Sequence, residues 1–212
     1  MYYKTSLVTA PTEEPITLAE LKTHLRIDTS TEDTYLTSII KGVRETIELK
    51  CGLAFITQTW KMFFDNFQNY NENWWDGIKE APVGYFSKKV VEIQKAPLQS
   101  VTHIKIYDNS NIATTFSTDN YTVFTYSGVS PSNGRIMLKE GTTWPYVERE
   151  VDGVEIQFVA GYGSAGDVPQ IMKQYILEES AYRYEHRGDC DPANLNSPIS
   201  RNALGLIKKS FL

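Results

Sequence analysis

Several kinds of chemistry are scarce or missing in this chain of 212 residues. There is no basic surplus: Lys and Arg total 21 against 26 Asp and Glu, a formal net charge of −5. Proteins that hold nucleic acid through its phosphates carry a basic block or stripe, so phosphate gripping is not expected. Cysteine is rare. Cys51 and Cys190 form no spaced motif, which points to a reduced history rather than a disulfide framework. No apolar run approaches the roughly 20 residues that span a bilayer, and the opening MYYKTSLVTAPTEEP has no signal-peptide core. No membrane partner is expected.

Histidine is equally scarce. His186 sits with Asp189, Cys190 and Asp191, but a structural zinc site needs a second His or Cys pair. Only His24, His103 and Cys51 remain as soft ligands, and none is paired in sequence. Serine motifs such as G-x-S-x-G are lacking. The carboxylate pairs Glu13–Glu14, Glu32–Asp33 and Glu178–Glu179 are adjacent and read as solvated charge. The expectation is therefore no catalytic residues, no metal and no cofactor.

What the chain does contain is organised around residues 31–60. Leu36, Ile39, Ile40, Val43 and Ile47 make one helical stripe. Thr31 is the expected N-cap, with Glu32 and Asp33 at the positive end of the dipole. Gly52 stands where a left-handed C′ residue belongs, so that Leu53 folds back onto Ile47. The period then changes to two. Ile56, Trp60, Met62 and Phe64 fall on one side of a strand, Thr57, Thr59 and Lys61 on the other.

An earlier helix is expected at 17–26, with Thr17 and Glu20 in capping-box spacing and Leu18, Leu21 and Leu25 as its apolar face. His24 lies beside that face and reads as a surface or packed histidine. Residues 1–15 read as extended and loop-like, broken by Pro11 and Pro15. Between 88 and 160 come short strands spaced by turns: VVEI, VTHIKIYD with its return IATTF, YTVFTY, GRIMLKE and VEIQFVAG. These predict an antiparallel sheet or sandwich. Asp167, with Pro169 and Gln170, is expected to cap a helix over 168–187 that stops at Gly188. That helix is apolar on several sides, which predicts burial among others. A last helix is expected at 198–210.

The sharpest motif is GYGSAG at 161–166. It follows a strand and precedes a helix, as a dinucleotide loop does. Such a loop needs a parallel strand after the helix, carrying an acid for the ribose. Here a second helix follows, and Glu185 falls inside the first. The glycines read instead as a strand-to-helix connection.

Two stretches are candidates for contact with other proteins. The aromatic segment 67–87 holds adjacent Trp74 and Trp75, which either pack on their own domain or anchor a partner. The C-terminal stretch has a narrow apolar stripe of Ile199, Ala203 and Leu206, then Lys208, Lys209, Phe211 and Leu212. It either orders on a partner or packs against the helix at 168–187.

The order of these pieces carries a resemblance. PITLAELKTHLRID, a polar turn, then a helix ending CGLAFITQTW resembles the opening of head–tail connector (adaptor, head-completion) proteins of long-tailed bacteriophages and gene transfer agents. APLQSVTHI, NGRIMLKEGTTWP, VEIQFVAGYG, VPQIMKQYILEESAYRYEHRG and PISRNALGLIKKSF follow in the family's order, over residues 15–212. The segment 67–87 departs from the family by its length and aromatic content.

The resemblance implies a non-enzymatic virion protein, assembled in the host bacterial cytoplasm. It would form a ring between the portal protein and a tail or stopper protein, extending the DNA channel and providing a tail docking surface. A dodecamer is implied in the virion and a monomer in isolation, with DNA passing unbound. The expected fold is α+β: a small helical bundle, residues 1–54 and 163–212, with an antiparallel β domain, 55–162, inserted between the second and third helices. The rival readings are another virion part, such as a tail terminator or capsid decoration, and a nucleotide-binding protein using 161–166.

Overall fold

A computed structural model describes residues 3–67, 89–129 and 131–187. Within them the protein is α+β, as expected. The helices are α1 (Leu18–Leu25), α2 (Asp33–Cys51) and α3 (Gln170–Glu185). The strands are β1 (Lys4–Thr9), β2 (Gln58–Phe64), β3 (Val90–Glu92), β4 (Leu98–Tyr107), β5 (Ala113–Phe116), β6 (Tyr121–Phe124), β7 (Arg135–Leu138) and β8 (Val154–Ala160). The expected helix at 198–210, the cap at Gly188, most of the aromatic segment and the Asp189–Asp191 cluster lie outside the described residues. No helix among the described residues is long and apolar enough to cross a membrane.

The local signals in the first two helices act as their chemistry dictates. Thr17 accepts from the Glu20 amide at 3.1 Å while Glu20 accepts from the Thr17 amide at 2.6 Å, so two orphan donors of α1 are satisfied. The Thr17 amide and hydroxyl, both donating to it, hold the Glu20 carboxyl below its ordinary value. Gly52 takes the left-handed conformation at φ 66° and ends α2. The whole stripe from Leu36 to Ile47 is buried, together with Ile16, Leu21, Leu53, Phe55, Val168, Met172 and Ile176, in one cluster that the three helices share. His24 is exposed on α1.

Four expectations need correction. The N-cap of α2 is Glu32, not Thr31, and it makes no side-chain bond to its own helix. Its carboxylate is drawn instead to the Tyr184 hydroxyl and the Arg187 guanidinium, at the far end of the neighbouring α3. Asp167 does not cap α3. It closes a short 3-10 turn, Ala165–Asp167, by accepting from the Ser164 amide and hydroxyl, both at 2.8 Å. Pro169 takes the N-cap position and Gln170 opens the helix. Residues 4–9, read as extended and loop-like, form strand β1 and pair with β2. Nor is α3 buried all round: Ile171 is exposed while Met172, Ile176, Ser180 and Ala181 face inward.

The strands make two antiparallel sheets, one ordered β1-β2-β8-β4-β5 and one ordered β3-β7-β6. Met62, Phe64, Ile104, Ile106, Val154, Ile156 and Phe158 of the first share an apolar cluster with Val91, Tyr121 and Ile136 of the second. The expected β4–β5 hairpin forms around Asp108, whose carboxylate accepts from the Ser110 and Ile112 amides at 2.8 Å.

Helices and sheets meet where three chain segments, 54–57, 96–97 and 161–163, cross. Ala54 donates to the Ala96 carbonyl at 2.8 Å, Thr57 to that of Gly163 at 2.9 Å and Tyr162 to that of Phe55 at 3.0 Å. Gly161 donates to the Pro97 carbonyl at 2.9 Å. The chain therefore leaves α2 and returns toward α3 through adjacent backbones.

Candidate functional site

The residues read from sequence as partner contacts, Trp74, Trp75, Lys208, Lys209, Phe211 and Leu212, lie outside the described residues. The Gly-rich loop lies inside them, and the amides of Gly161, Tyr162, Ser164 and Ala165 are already engaged. The Ser164 amide donates to Asp167, and the Ala165 amide donates to Glu13 at 2.8 Å. A phosphate would have to displace two carboxylates from the donors it needs. The strand before the loop, β8, is antiparallel to both neighbours, β2 and β4, so a parallel dinucleotide unit is not built there. The loop is a strand-to-helix connection, fastened across the chain by Glu13.

Two polar clusters escaped the sequence reading. The first joins α2 to the start of β2. Arg44 and Glu48, whose side chains are only 4% and 7% exposed, pair at 2.7 Å. Arg44 also binds Glu14 through Nε at 2.7 Å. The other Glu48 oxygen accepts from the Phe55 amide at 2.8 Å and from Gln58 at 2.7 Å. Gln58 in turn accepts from the Trp60 indole at 3.0 Å, and the Lys95 ammonium lies 4.7 Å over that ring. Burial pushes the Glu48 carboxyl up and the Lys95 ammonium down. One signal was available: Ile40, Arg44 and Glu48 are four residues apart, so a charged pair continues the buried stripe.

The second cluster lies on the outer face of the five-stranded sheet. Glu155 of β8 is reached by Lys61 of β2, and by His103 and Tyr107 of β4, each at 3.0 Å. Burial raises its carboxyl, but the bonds from His103, Lys61 and Tyr107 outweigh burial and hold it below the ordinary value. All three donors converge on one carboxylate, which makes the cluster a cross-strand brace.

A group lowered on folding stabilises the fold above its unfolded value, and that contribution is lost as pH falls through the folded value. Glu155→Gln should therefore destabilise the protein at neutral pH and lose less stability than the parent on acidification below about pH 4. Urea unfolding at both pH values checks this; two parallel acid profiles would refute it.

Among the described residues no group of three or more His, Cys, Asp or Glu could hold a metal. Exposed apolar side chains stand at the edges of the large sheet, Leu7 and Val8 on β1 and Ile112 before β5, and on the outer face of the small one, Phe124 and Met137. Such positions suit contact with other protein surfaces rather than chemistry.

Comparison with known proteins agrees. No curated protein matches the chain. Among the solved chains that share its fold, three are 21% identical to it. One, from the "Virion of native gene transfer agent (GTA) particle", has a TM-score of 0.70, with 98% of this chain and 94% of that one covered. A second, from the "Neck of empty GTA particle computed with C6 symmetry", also scores 0.70 and covers 98% and 95%. A third, from the "Neck of native GTA particle computed with C12 symmetry", scores 0.68 and covers 98% and 94%. Residues 15–132, from before α1 to beyond β6, match the family described as "Phage gp6-like head-tail connector protein". With more than half its length matched, this chain belongs to the phage gp6-like head-tail connector protein family.

Proposed function

We propose that this protein forms a homo-oligomeric ring, a dodecamer, between the portal protein and a tail or stopper protein, where it extends the DNA channel and provides the tail docking surface. Family membership over residues 15–132 is the observation that carries the reading. The fold's occurrence in neck particles computed with C12 and C6 symmetry supports it. The net charge of −5 suits a wall past which DNA slides. The protein has no catalytic activity in this reading and assembles in the host cytoplasm from monomers.

Its proposed organisation is a helical unit, 1–54 and 163–212, interrupted by a β domain, 55–162. The separate helical and sheet clusters support that division, with β1 contributed to the sheet from the N-terminal side. Trp74, Trp75, Lys208, Lys209, Phe211 and Leu212 are the proposed partner contacts.

Labelled copies located in purified necks should form a ring of twelve directly below the portal. Deleting residues 206–212 should leave the thermal midpoint of the free protein unchanged and abolish association with the portal. A label found elsewhere in the particle would end the ring reading. A large fall in the midpoint on deletion would show that the C-terminal segment is core.

A further inference from the structure

Among the described residues the five-stranded sheet ends in two edges, β1 and β5, that no further strand pairs with. Every neighbouring pair in the order β1-β2-β8-β4-β5 is antiparallel, so β1 and β5, four steps apart, run in the same direction. All six residues of β1 are exposed, as are the first three of the four in β5. Edge strands of proteins that remain single are usually blunted by charge or proline. Here β5 reads ATTF and β1 reads KTSLVT. The one charge, Lys4, is drawn to Asp152 at 2.9 Å.

The two edges match in length and facing. β1 pairs regularly with β2 from Lys4 to Leu7 before its register shifts, four residues against the four of β5. Pairing with Met62 and Trp60 turns Thr5 and Leu7 to the inner face, and pairing with Ile106 and Ile104 does the same for Thr114 and Phe116. Lys4, Ser6, Ala113 and Thr115 face outward. Apolar side chains stand at both edges: Leu7 is 44% exposed, Val8 49% and Ile112 64%.

We propose that subunits of the ring join edge to edge, β1 of one copy adding in parallel to β5 of the next, so that the large sheets run continuously around the assembly. The occupant of each edge is thus a second copy of this chain, and the inference rests on the ring reading above. The contact is heterologous and always leaves a free β1 edge at one end and a free β5 edge at the other, so it propagates until the ring closes. Pairing β1 with a second β1 would instead close a two-fold dimer and leave β5 bare. No like charges meet, because β5 carries none. A junction of four-residue strands is small, which fits assembly on a template rather than in free solution.

Cysteine pairs on the outward positions test the junction. Necks carrying Ser6→Cys together with Thr115→Cys, or with Ala113→Cys, are oxidised and run without reductant. A ladder of covalent multimers is expected from at least one pair and from neither single variant, which controls for Cys51 and Cys190. Hydrogen exchange gives an independent reading on the unaltered protein: amides of 4–9 and 113–116 should exchange more slowly in necks than in the free chain. If necks show a ring but neither cross-links nor new protection, the edge proposal falls and the ring reading stands. If necks show no ring of this chain, both fall.

Discussion

Arg44→Ala should destabilise the protein by about 3–5 kcal/mol, the usual cost of leaving one member of a buried ion pair alone. Glu48 would keep its bonds from the Phe55 amide and Gln58 but lose the cation 2.7 Å away. Glu14 would lose its partner too, and with it the tie between the segment before α1 and the middle of α2. The loss should be largest at neutral and alkaline pH. Protonation of Glu48 relieves the unpaired charge, and burial already pushes that carboxyl up. Replacing both residues, Arg44→Met with Glu48→Met, should recover only part of the loss: an apolar pair of similar volume removes the lone charge, but the Phe55 amide and Gln58 then lose their acceptor. Chemical denaturation of the parent and the two variants measures this. A loss below about 1 kcal/mol for Arg44→Ala would place the pair in the class of surface salt bridges and overturn the account.

Gly161→Ala should be nearly as damaging, and more so than the same change two residues on. Both glycines have left-handed φ, 134° at Gly161 and 135° at Gly163, a conformation that costs other residues about 1–3 kcal/mol. Their surroundings differ. A Cβ at Gly161 would lie 2.5 Å from the Ile56 carbonyl oxygen and 2.8 Å from the Thr57 amide nitrogen, both backbone atoms of the crossing where α2 hands over to β2. Nothing there can yield without parting the two strands, so an overpacking cost of about 1–3 kcal/mol adds to the strain. At Gly163 the obstacle is the Asp167 carboxylate, 2.5 Å away, a side chain that can swing aside at the expense of its bonds to Ser164. Equal losses for the two variants would show that φ alone decides.

Both predictions concern the junction of helices and sheets, which was the least legible part of the chain. Its surroundings were far more readable. The stripe from Leu36 to Ile47 is buried as its spacing requires, because a helix presents every third or fourth residue to one side whatever lies beyond. The Thr17–Glu20 box and the Gly52 terminus are also local, made by residues within one turn of each other. Strands β2 to β8 fall where alternation or turn residues predicted them. In β2 the sheet buries Met62 and Phe64 and leaves Lys61 on the other face. The family resemblance, too, was legible as an ordered set of such pieces.

Edge strand β1 was not legible, because KTSLVT is exposed on both faces and so has no alternation to read. It is a strand because β2 offers a free row of backbone donors and acceptors. The order of strands was equally hidden, since backbone hydrogen bonds carry no side-chain signature. Where two partners compete for one group, the distant one decided. Glu32 turns to Tyr184 and Arg187 rather than to its own helix. Asp167 closes the turn that Glu13 fastens from 152 residues away, leaving Pro169 at the head of α3. Glu155 draws on Lys61, His103 and Tyr107 only because antiparallel pairing sets β2 and β4 on either side of β8. The sequence by itself determined helices α1 to α3 and strands β2 to β8 along the chain, because periodicity, capping and turn chemistry act within a few residues. The tertiary structure alone decided the junction, the sheet edges and the carboxylate partners, because each joins groups that meet only after the chain has folded.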